Sequence, residues 1–289
     1  MTRWKRRLIW ALAVVALLFS AVTLNSFRGR LGWSAVALDP GELLQDLAPE
    51  MVWTLPEGEG PHPVAMLLSG CDGPRRNLDL LARELAGIGW ASVKVDSHTP
   101  RGLGENQLWR LVCTGQLLNG AERASDVAVT LAEIRSRAEL DAGRAVLIGL
   151  SHGGWASLDF LALSAEGVVP PLLTGWPAAL ASPPHTGVVG AVLYYPYCGP
   201  AAVGYRGDLP EDPRYLFLLV EGDMITNEER CLEIAGGLRA AGAEVGVHTF
   251  TGVTHGFDQQ EKSDLSLLEF DPAARAEAVA MTLDFLRDL

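Results

Sequence analysis

A five-residue segment at the end of an apolar run constrains the fold of this chain more than any other feature. Residues Gly149-Leu150-Ser151-His152-Gly153 follow the run Ala145–Ile148, and a helical pattern begins after them. Glycine has no Cβ, so a strand and a helix can approach closely around a strained central residue whose side chain is then exposed. The pattern predicts a nucleophile elbow with Ser151 at its tip. The alternative interpretation is a glycine-rich turn with an incidental serine.

Apolar runs of β type alternate with helical patterns along the rest of the chain. The predicted strands cover residues 63–68, 91–95, 145–150, 188–195, 215–220 and 245–250, with an antiparallel edge strand over 51–55. The predicted helices cover residues 78–88, 121–138, 155–163, 228–241 and 273–286. This alternation indicates an α/β fold, with one mainly parallel sheet and helices on both faces, formed by a single domain over residues 31–289.

Two stretches interrupt this alternation and are predicted to be long loops. Residues 97–119 follow a strand end. Because ligands of parallel α/β sheets bind beyond the carboxyl ends of the strands, this loop is expected on the active face. Residues 164–187 contain five prolines and run from a helix back to a strand. They form either a partial lid or a packing segment, and packing is the favoured interpretation.

The first thirty residues have the pattern of an export signal or a membrane anchor. Four basic residues between positions 3 and 7 precede the 17 uncharged residues Leu8–Leu24, and two arginines follow by position 30. This length is near the lower limit for a membrane span and long for a cleaved signal peptide. The small-residue sequence Ala35-Val36-Ala37 lies far downstream. An uncleaved signal anchor over residues 1–30 is therefore favoured over a cleaved signal peptide or a buried core helix.

Charge is distributed unevenly between this leader and the domain. The bias of basic residues predicts a cytoplasmic N-terminus, an inner-membrane anchor and a domain on the periplasmic or extracytoplasmic side. If the leader is cleaved, the domain is secreted. Beyond residue 30 the chain has 17 Lys and Arg against 35 Asp and Glu, a net charge of −18. Such a domain repels nucleic acid, so no DNA or RNA partner is expected.

The four cysteines, Cys71, Cys113, Cys198 and Cys231, all follow the leader. An exported chain meets an oxidising compartment, in which disulfides form. The cysteines lack the Cys-x-x-Cys and Cys/His spacings of zinc sites, so no metal is expected. Four cysteines allow three connectivities, and the spacings leave all three open.

Candidate partners of Ser151 follow it in the order acid, then histidine. A serine hydroxyl needs a base, and the base needs a carboxylate to orient it; folds with this elbow have the chain order Ser, acid, His. Asp223 lies just past a predicted strand, and His255 follows the strand that ends at Phe250. Three other carboxylates compete for the role of the acid but do not combine this chain order with a position at the end of a strand: Glu221, Asp96 and Asp258.

Backbone amides are the predicted donors to a developing oxyanion. One is the N–H of His152, and the other is the N–H of Cys71 in the glycine-flanked turn Ser69–Gly73. The elbow turns the His152 side chain away from Ser151, so only its backbone is given a role. Four aromatic residues are candidates for the wall of an acyl pocket, although packing in the core is favoured for them: Trp109, Trp155, Trp176 and Tyr195.

Six motifs together give the chain a family resemblance. They are Ser69–Gly73, Val95–Ser97 with Pro100–Gly102, Gly149–Trp155, Tyr195–Cys198, Glu221–Asp223 and His255–Phe257. Over residues 50–289 the chain resembles the dienelactone hydrolase family of α/β-hydrolases. The resemblance implies an α/β-hydrolase fold with a Ser151-Asp223-His255 triad that acts on an ester or lactone without a cofactor. Ser151 stands where the best-known members have cysteine, so the resemblance is to a serine-nucleophile variant.

The architecture implied by the resemblance also suggests how the cysteines pair. Disulfides Cys198–Cys231 and Cys71–Cys113 are expected, against the alternative of four reduced, buried thiols. The expected function is hydrolysis of a small ester or lactone through an acyl-enzyme, with the membrane contacted through residues 1–30. An acyltransferase or peptidase on the same triad, and a non-catalytic membrane-tethered domain, are the alternatives.

Overall fold

The apolar runs of the sequence pair into one sheet. The computed structural model describes residues 2–33, 36–205, 208–262 and 268–289. Its strands are β1 (Val52–Thr54), β2 (His62–Leu68), β3 (Ala91–Val95), β4 (Leu140–Leu150), β5 (Val188–Tyr194), β6 (Arg214–Val220) and β7 (Val245–Phe250). Within these residues the strand order is β1-β3-β2-β4-β5-β6-β7, antiparallel at the β1–β3 edge and parallel elsewhere. The predicted α/β fold with a mainly parallel sheet is confirmed.

Helices connect and flank these strands. They are α1 (Arg3–Ser26), α2 (Pro40–Leu47), α3 (Arg76–Gly87), α4 (Glu105–Gln107), α5 (Gly120–Ser136), α6 (His152–Glu166), α7 (Glu228–Ala241) and α8 (Pro272–Arg287). Apolar side chains of α2, α5, α6 and α7 pack into the core on one face of the sheet. Those of α3 and α8 pack on the other face.

The strand sequences explain why both faces are covered. Successive side chains of a strand point to opposite faces, so a strand buried on both sides is apolar at every position. In β2, Val64, Met66 and Leu68 belong to one core. Ala65 and Leu67 belong to the other. The continuous apolar runs of the sequence are therefore central strands, with a hydrophobic core on each side.

Polar caps fix where several helices begin. Asn119 accepts a hydrogen bond from the N–H of Glu122, and the Glu122 carboxylate accepts one from the N–H of Asn119, which forms a capping box at the start of α5. Asp271 accepts hydrogen bonds from two N–H groups in the first turn of α8. Left-handed glycines, Gly167 and Gly242, follow the last residues of α6 and α7.

The two predicted loops have different structures. Residues 97–119 contain short helical turns, including Thr99–Arg101, α4 and Leu108–Val112. In residues 164–187, Leu173 is buried in the core, and Trp176 and Leu180 pack against it. The second segment therefore packs on the domain, in agreement with the favoured interpretation.

Two elements begin three or more residues earlier than the sequence predicts. β4 starts at Leu140 rather than at 145, because Leu140 and Asp141 pair with the first residues of β2 ahead of a register shift. α6 starts at His152 rather than at 155, and so includes Gly153 and Gly154. Glycine is a poor helix former, which hides the first turn of this helix in the sequence.

Helix α1 contains the predicted membrane segment. It is the one helix in the described part of the chain that is long and apolar enough to cross a membrane, and none of its 18-residue apolar window is buried. The helix ends at Ser26, and residues Asn25–Ser26 and Phe27–Arg30 are partly or fully covered by the domain. The candidate cleavage sequence Ala35-Val36-Ala37 begins at a residue outside the described part. The domain boundary at residue 30 stays a prediction.

A buried carboxyl group in α6 makes a prediction about stability. Asp159 is fully buried, and its Oδ1 accepts a hydrogen bond of 3.1 Å from the N–H of Gly204. Burial raises the pKa of Asp159 to about 8. The folded protein therefore holds this proton over a pH range in which the unfolded chain has lost it. Asp159 thus lowers the free energy of unfolding progressively as the pH rises from about 4 to about 8.

Asp159→Asn keeps the acceptor oxygen and removes the ionisation. We expect the variant to gain stability over the parent as the pH rises from 5 to 8, by up to about 1.4 kcal/mol per pH unit. Thermal unfolding across this range measures the gain. Asp46→Asn, at an exposed position of α2, is the matched control and should follow the pH profile of the parent. Parallel profiles for Asp159→Asn and the parent would contradict the prediction.

Candidate active site

Ser151 lies on a tight turn between β4 and α6. Its φ of 52° is in the left-handed region, which costs free energy for a residue with a side chain. A Cβ at Gly149 would lie 2.5 Å from the carbonyl oxygen of Gly153, and a Cβ at Gly153 would lie 2.2 Å from that of Leu68. Side chains therefore do not fit on either side of Ser151, and the close packing of strand and helix holds the strained residue in place.

His255 lies between Ser151 and Asp223 and contacts both. Its Nε2 is 2.9 Å from Ser151 Oγ, and its Nδ1 is 2.7 Å from Asp223 Oδ2. The three residues follow β4, β6 and β7, which are parallel and end at the same edge of the sheet. The structure therefore brings together the serine, acid and histidine that the sequence selects, in a hydrogen-bonded chain.

The surroundings of Asp223 fix the direction of proton donation along this chain. Burial opposes ionisation of the carboxyl group, but hydrogen bonds from His255, the Thr226 hydroxyl and the Ile225 N–H outweigh it and hold the pKa of Asp223 below its ordinary value. An ionised carboxylate only accepts hydrogen bonds, so Nδ1 of His255 carries a proton. In the neutral imidazole, Nε2 then has a lone pair directed at the Ser151 hydroxyl, as a general base requires.

The competing carboxylates have other partners. Glu221 is exposed. Asp96 accepts hydrogen bonds from the N–H groups of His98 and Thr99 and so caps the turn after β3. Asp258 is buried and accepts hydrogen bonds from the Tyr195 hydroxyl and from Asn77. None of the three accepts a hydrogen bond from Nδ1 of His255, whose partner is Asp223.

Tyr195 packs against the ring of His255 and is held by Asp258. The Tyr195 ring is 4.6 Å from the His255 ring, centroid to centroid, in an edge-on arrangement. Tyr195 is itself held with a φ of 36°, and its hydroxyl donates to Asp258 Oδ1. Both side chains are buried, and the hydrogen bond between them holds the Tyr195 ring against the imidazole of His255. The sequence placed Tyr195 in a motif and among the pocket aromatics but carried no signal of this contact.

The two predicted oxyanion donors lie beside the serine. His152 is the first residue of α6, and the first N–H groups of a helix have no partner within it. A Cβ at Gly70 would lie 3.9 Å from Ser151 Cβ, so the turn that carries Cys71 passes next to the nucleophile. Cys71 and His152 both line the same cavity as Ser151. Their role as donors stays a prediction.

Both pairs of cysteines form disulfides. Cys71 is bonded to Cys113, with a Cα–Cα distance of 5.0 Å, and Cys198 is bonded to Cys231, at 5.4 Å. The first bond ties the turn beside Ser151 to the loop that contains residues 97–119. The second ties the segment after β5 to the first turn of α7, near Asp223. These are the two pairings that the resemblance implies.

A cavity of about 490 Å³ opens onto Ser151 and His255. Three of the four candidate aromatics line it, Trp109, Trp155 and Tyr195. The fourth, Trp176, packs edge-on against Phe160 instead. Packing in the core, the interpretation that the sequence favours for all four residues, therefore applies to Trp176 alone. The other three combine packing with a place in the cavity wall.

Comparisons with known proteins agree with this architecture. A sequence model of the Dienelactone hydrolase family matches residues 174–289. No match was found among curated proteins. The predicted resemblance to the dienelactone hydrolase family is confirmed. The family match includes Asp223 and His255, whereas Ser151 precedes it.

Solved structures of low sequence identity extend the likeness of fold over most of the chain. One is a dienelactone hydrolase-like promiscuous phosphotriesterase from metagenomic libraries, 16% identical, with 83% of this chain and 98% of that chain covered and a TM-score of 0.60. Another is the butyrate-bound esterase 2 of Thermogutta terrifontis, 15% identical, covering 82% and 88%, with a TM-score of 0.59. The same esterase phosphonylated by cyclosarin is 16% identical, covers 82% and 88%, and has a TM-score of 0.61.

A buried arginine in this dienelactone hydrolase-like fold joins three segments around Ser151. The Arg123 guanidinium, fully buried in α5, lies 2.9 Å from the carbonyl oxygen of Ser69, 3.2 Å from Ser97 Oγ and 3.1 Å from His152 Nδ1. Burial lowers the pKa of Arg123 to about 10, so the group is charged at neutral pH. The sequence carries no signal of this role, since an arginine within a helical pattern is usually on the surface.

Burial and the charge of Arg123 together determine the protonation state of His152, the residue after Ser151. Burial, followed by the charges of Arg123 and His98, holds the pKa of His152 well below its ordinary value. The His152 imidazole is therefore neutral, and its Nδ1 accepts a hydrogen bond from Arg123. The His152 side chain is thus hydrogen-bonded to Arg123, while the backbone N–H of His152 lies beside Ser151.

Arg123→Met replaces the guanidinium with an unbranched apolar side chain. The variant leaves buried acceptors without a donor, and each such group costs about 1–3 kcal/mol. We expect the free energy of unfolding in urea to fall by at least that amount. Arg83→Met, at an exposed position of α3, is the matched control and should change stability by less than about 0.5 kcal/mol. Equal stability of the two variants would mean that the network does not stabilise the fold.

Proposed function

We propose that this protein is a serine hydrolase that cleaves a carboxylic ester or a lactone. The observation that carries the proposal is the hydrogen-bonded chain from Ser151 through His255 to the ionised Asp223. In this chain Ser151 lies at the tip of a strained elbow, and Ser151 and His255 line a cavity. In this proposal Ser151 is the nucleophile, His255 the general base and acid, and Asp223 the group that orients the histidine.

The proposed reaction has two stages. Ser151 Oγ attacks the ester carbonyl as His255 Nε2 takes its proton, and the amides of Cys71 and His152 stabilise the oxyanion. His255 then gives that proton to the departing alcohol, which leaves an acyl group on Ser151. Water, deprotonated by His255, attacks the acyl-enzyme, and the carboxylic acid leaves as Ser151 regains its proton. No step needs a cofactor.

The chemical class of the substrate is supported by the likeness to known hydrolases. The matching family is named for a lactone hydrolase. A structural relative is an esterase with butyrate bound, and the same esterase is phosphonylated by cyclosarin. By analogy, an organophosphorus reagent is a suitable probe for an activated serine in this chain. The family members with a cysteine nucleophile act on a dienelactone. Because this chain has Ser151 at that position, a general carboxylic ester is favoured as its substrate.

We further propose that residues 1–30 anchor the protein in the inner membrane, with the domain on the extracytoplasmic side. Helix α1 has the length and apolar character of a membrane span, with the basic residues concentrated before it. Two disulfides in the domain suit an oxidising compartment.

Ser151→Ala removes the proposed nucleophile without enlarging any side chain. We expect loss of labelling by a fluorophosphonate, read by intact mass, and a fall in ester turnover of at least about 10³-fold. The melting temperature should stay close to that of the parent. Ser136→Ala, at an exposed position at the end of α5, is the control and should keep both labelling and turnover. A labelled Ser151→Ala variant would rule out Ser151 as the nucleophile.

The disulfide Cys71–Cys113 is expected to affect turnover as well as stability. Its removal by the double substitution Cys71→Ser with Cys113→Ser frees the turn that presents the proposed oxyanion donor. Since loss of one donor lowers kcat by about 10²–10³-fold, a fall toward that range is expected. Cys198→Ser with Cys231→Ser is the matched control, in which a lower melting temperature should dominate. Equal kcat values for the two double variants, measured well below their melting temperatures, would contradict the specific role of Cys71–Cys113.

A further inference from the structure

The membrane-anchor helix contributes to the wall of the cavity that contains Ser151. Ser26, the last residue of α1, and Phe27, directly after it, line the same cavity as Ser151 and His255. Hydrolysis of a water-soluble ester does not require a membrane segment in the cavity wall. We propose that the substrate is an ester with a long apolar chain that is dissolved in the bilayer and enters the cavity from the membrane. This inference rests on the proposed function and on the proposed anchor.

The segment after the apolar span is held tightly by the domain. Asn25 Nδ2 donates to the carbonyl oxygen of Gln116 at 2.8 Å. The Arg28 guanidinium makes two hydrogen bonds to the Glu122 carboxylate, at 2.8 and 2.5 Å, and a third to the carbonyl oxygen of Gly115 at 3.0 Å. The Arg28 and Glu122 side chains are only 11% and 7% exposed. Such a shielded, bidentate pair is among the stronger polar contacts in proteins.

Two further contacts complete this docked segment, residues 25–30. Gly29 is buried, and a Cβ there would lie 2.4 Å from Asn119 Oδ1 and 2.9 Å from Ala121 Cβ. The backbone of the leader therefore lies directly against the start of α5. Arg30 donates to the carbonyl oxygen of Pro200 at 2.8 Å. The domain consequently has a fixed position relative to the end of α1.

Helix dimensions place the cavity next to the hydrocarbon of the membrane. The uncharged residues Leu8–Leu24 span about 26 Å at 1.5 Å per residue, close to the thickness of about 30 Å of a bilayer core. Leu24 then lies near the interface, and Ser26 and Phe27 lie about 3–5 Å further along the chain axis. The cavity wall therefore begins within one helical turn of the lipid.

Exposed apolar side chains near the cavity and the docked segment are consistent with a cavity that faces the bilayer. Ile225 lines the cavity yet is 60% exposed, and the adjacent Met224 is 95% exposed. Trp33 follows the docked segment and is 61% exposed. Tryptophan is enriched at membrane interfaces, and large apolar side chains at a cavity mouth favour contact with lipid over contact with water. The chemical class of the substrate is thus an apolar ester rather than a charged or sugar ester.

The test separates the cavity from the bilayer without altering the docked segment. A flexible Gly/Ser linker of about 12 residues, inserted between Leu24 and Asn25 of the full chain, has a mean span of roughly 17–21 Å. It leaves Ser26 and Phe27 in the cavity wall. The parent and the variant are reconstituted in phosphatidylcholine vesicles. They are compared on two esters with the same leaving group, water-soluble 4-nitrophenyl butyrate and 4-nitrophenyl palmitate dissolved in the bilayer.

The proposal predicts that the linker variant keeps fluorophosphonate labelling and butyrate turnover while palmitate turnover falls by about tenfold or more. The same linker inserted between Gly58 and Glu59, in an exposed turn, should leave both activities unchanged. Equal palmitate turnover by the parent and the Leu24–Asn25 variant overturns entry from the bilayer. So does a parent that is labelled and cleaves butyrate but not palmitate. Absence of labelling and of butyrate turnover in the parent instead overturns the proposed function itself.

Discussion

The close contact between β4 and α6 is the constraint on which the rest of the site depends. Side chains do not fit at Gly149 or Gly153, because strand, helix and the end of β2 meet there. This contact forces Ser151 into the left-handed region and projects its hydroxyl beyond the sheet. It also brings the first turn of α6 beside the turn that carries Cys71. The packing therefore fixes the position of Ser151, next to which His255 and the turn of Cys71 lie.

Charge around the elbow is arranged so that neighbouring groups have different protonation states. Asp223 is ionised and accepts a hydrogen bond from His255 Nδ1–H, which leaves the Nε2 lone pair free to act on Ser151. His152, one residue from the nucleophile, is neutral because it is buried beside the charged Arg123. The two imidazoles therefore differ in their partners, and only one is oriented toward the serine hydroxyl.

The sequence predicts those parts of the structure whose signal is local. Asp223 follows β6 and His255 follows β7, two strands that the alternation of strands and helices predicts to be parallel, so the location of both residues at the carboxyl ends of the strands could be inferred before their contacts were known. Arg123 could not be inferred, because α5 is covered by both α2 and α6, and an isolated helical pattern does not reveal a second covered face. The short helix α2 and the docking of residues 25–30 depend on contacts between distant segments, which periodicity does not encode.

The pairing of Glu122 with Arg28 links the N-terminal segment to the folding of the domain. Glu122 belongs to the capping box of α5, and its carboxylate is shielded from solvent in contact with Arg28. A chain shortened to begin after residue 30 would retain this partly desolvated anion and lose its cation. The folded unit therefore extends back into residues 25–30, at the end of α1 and directly after it. Such a truncation would therefore differ from the full chain at the start of α5, and its stability would not be that of the full chain.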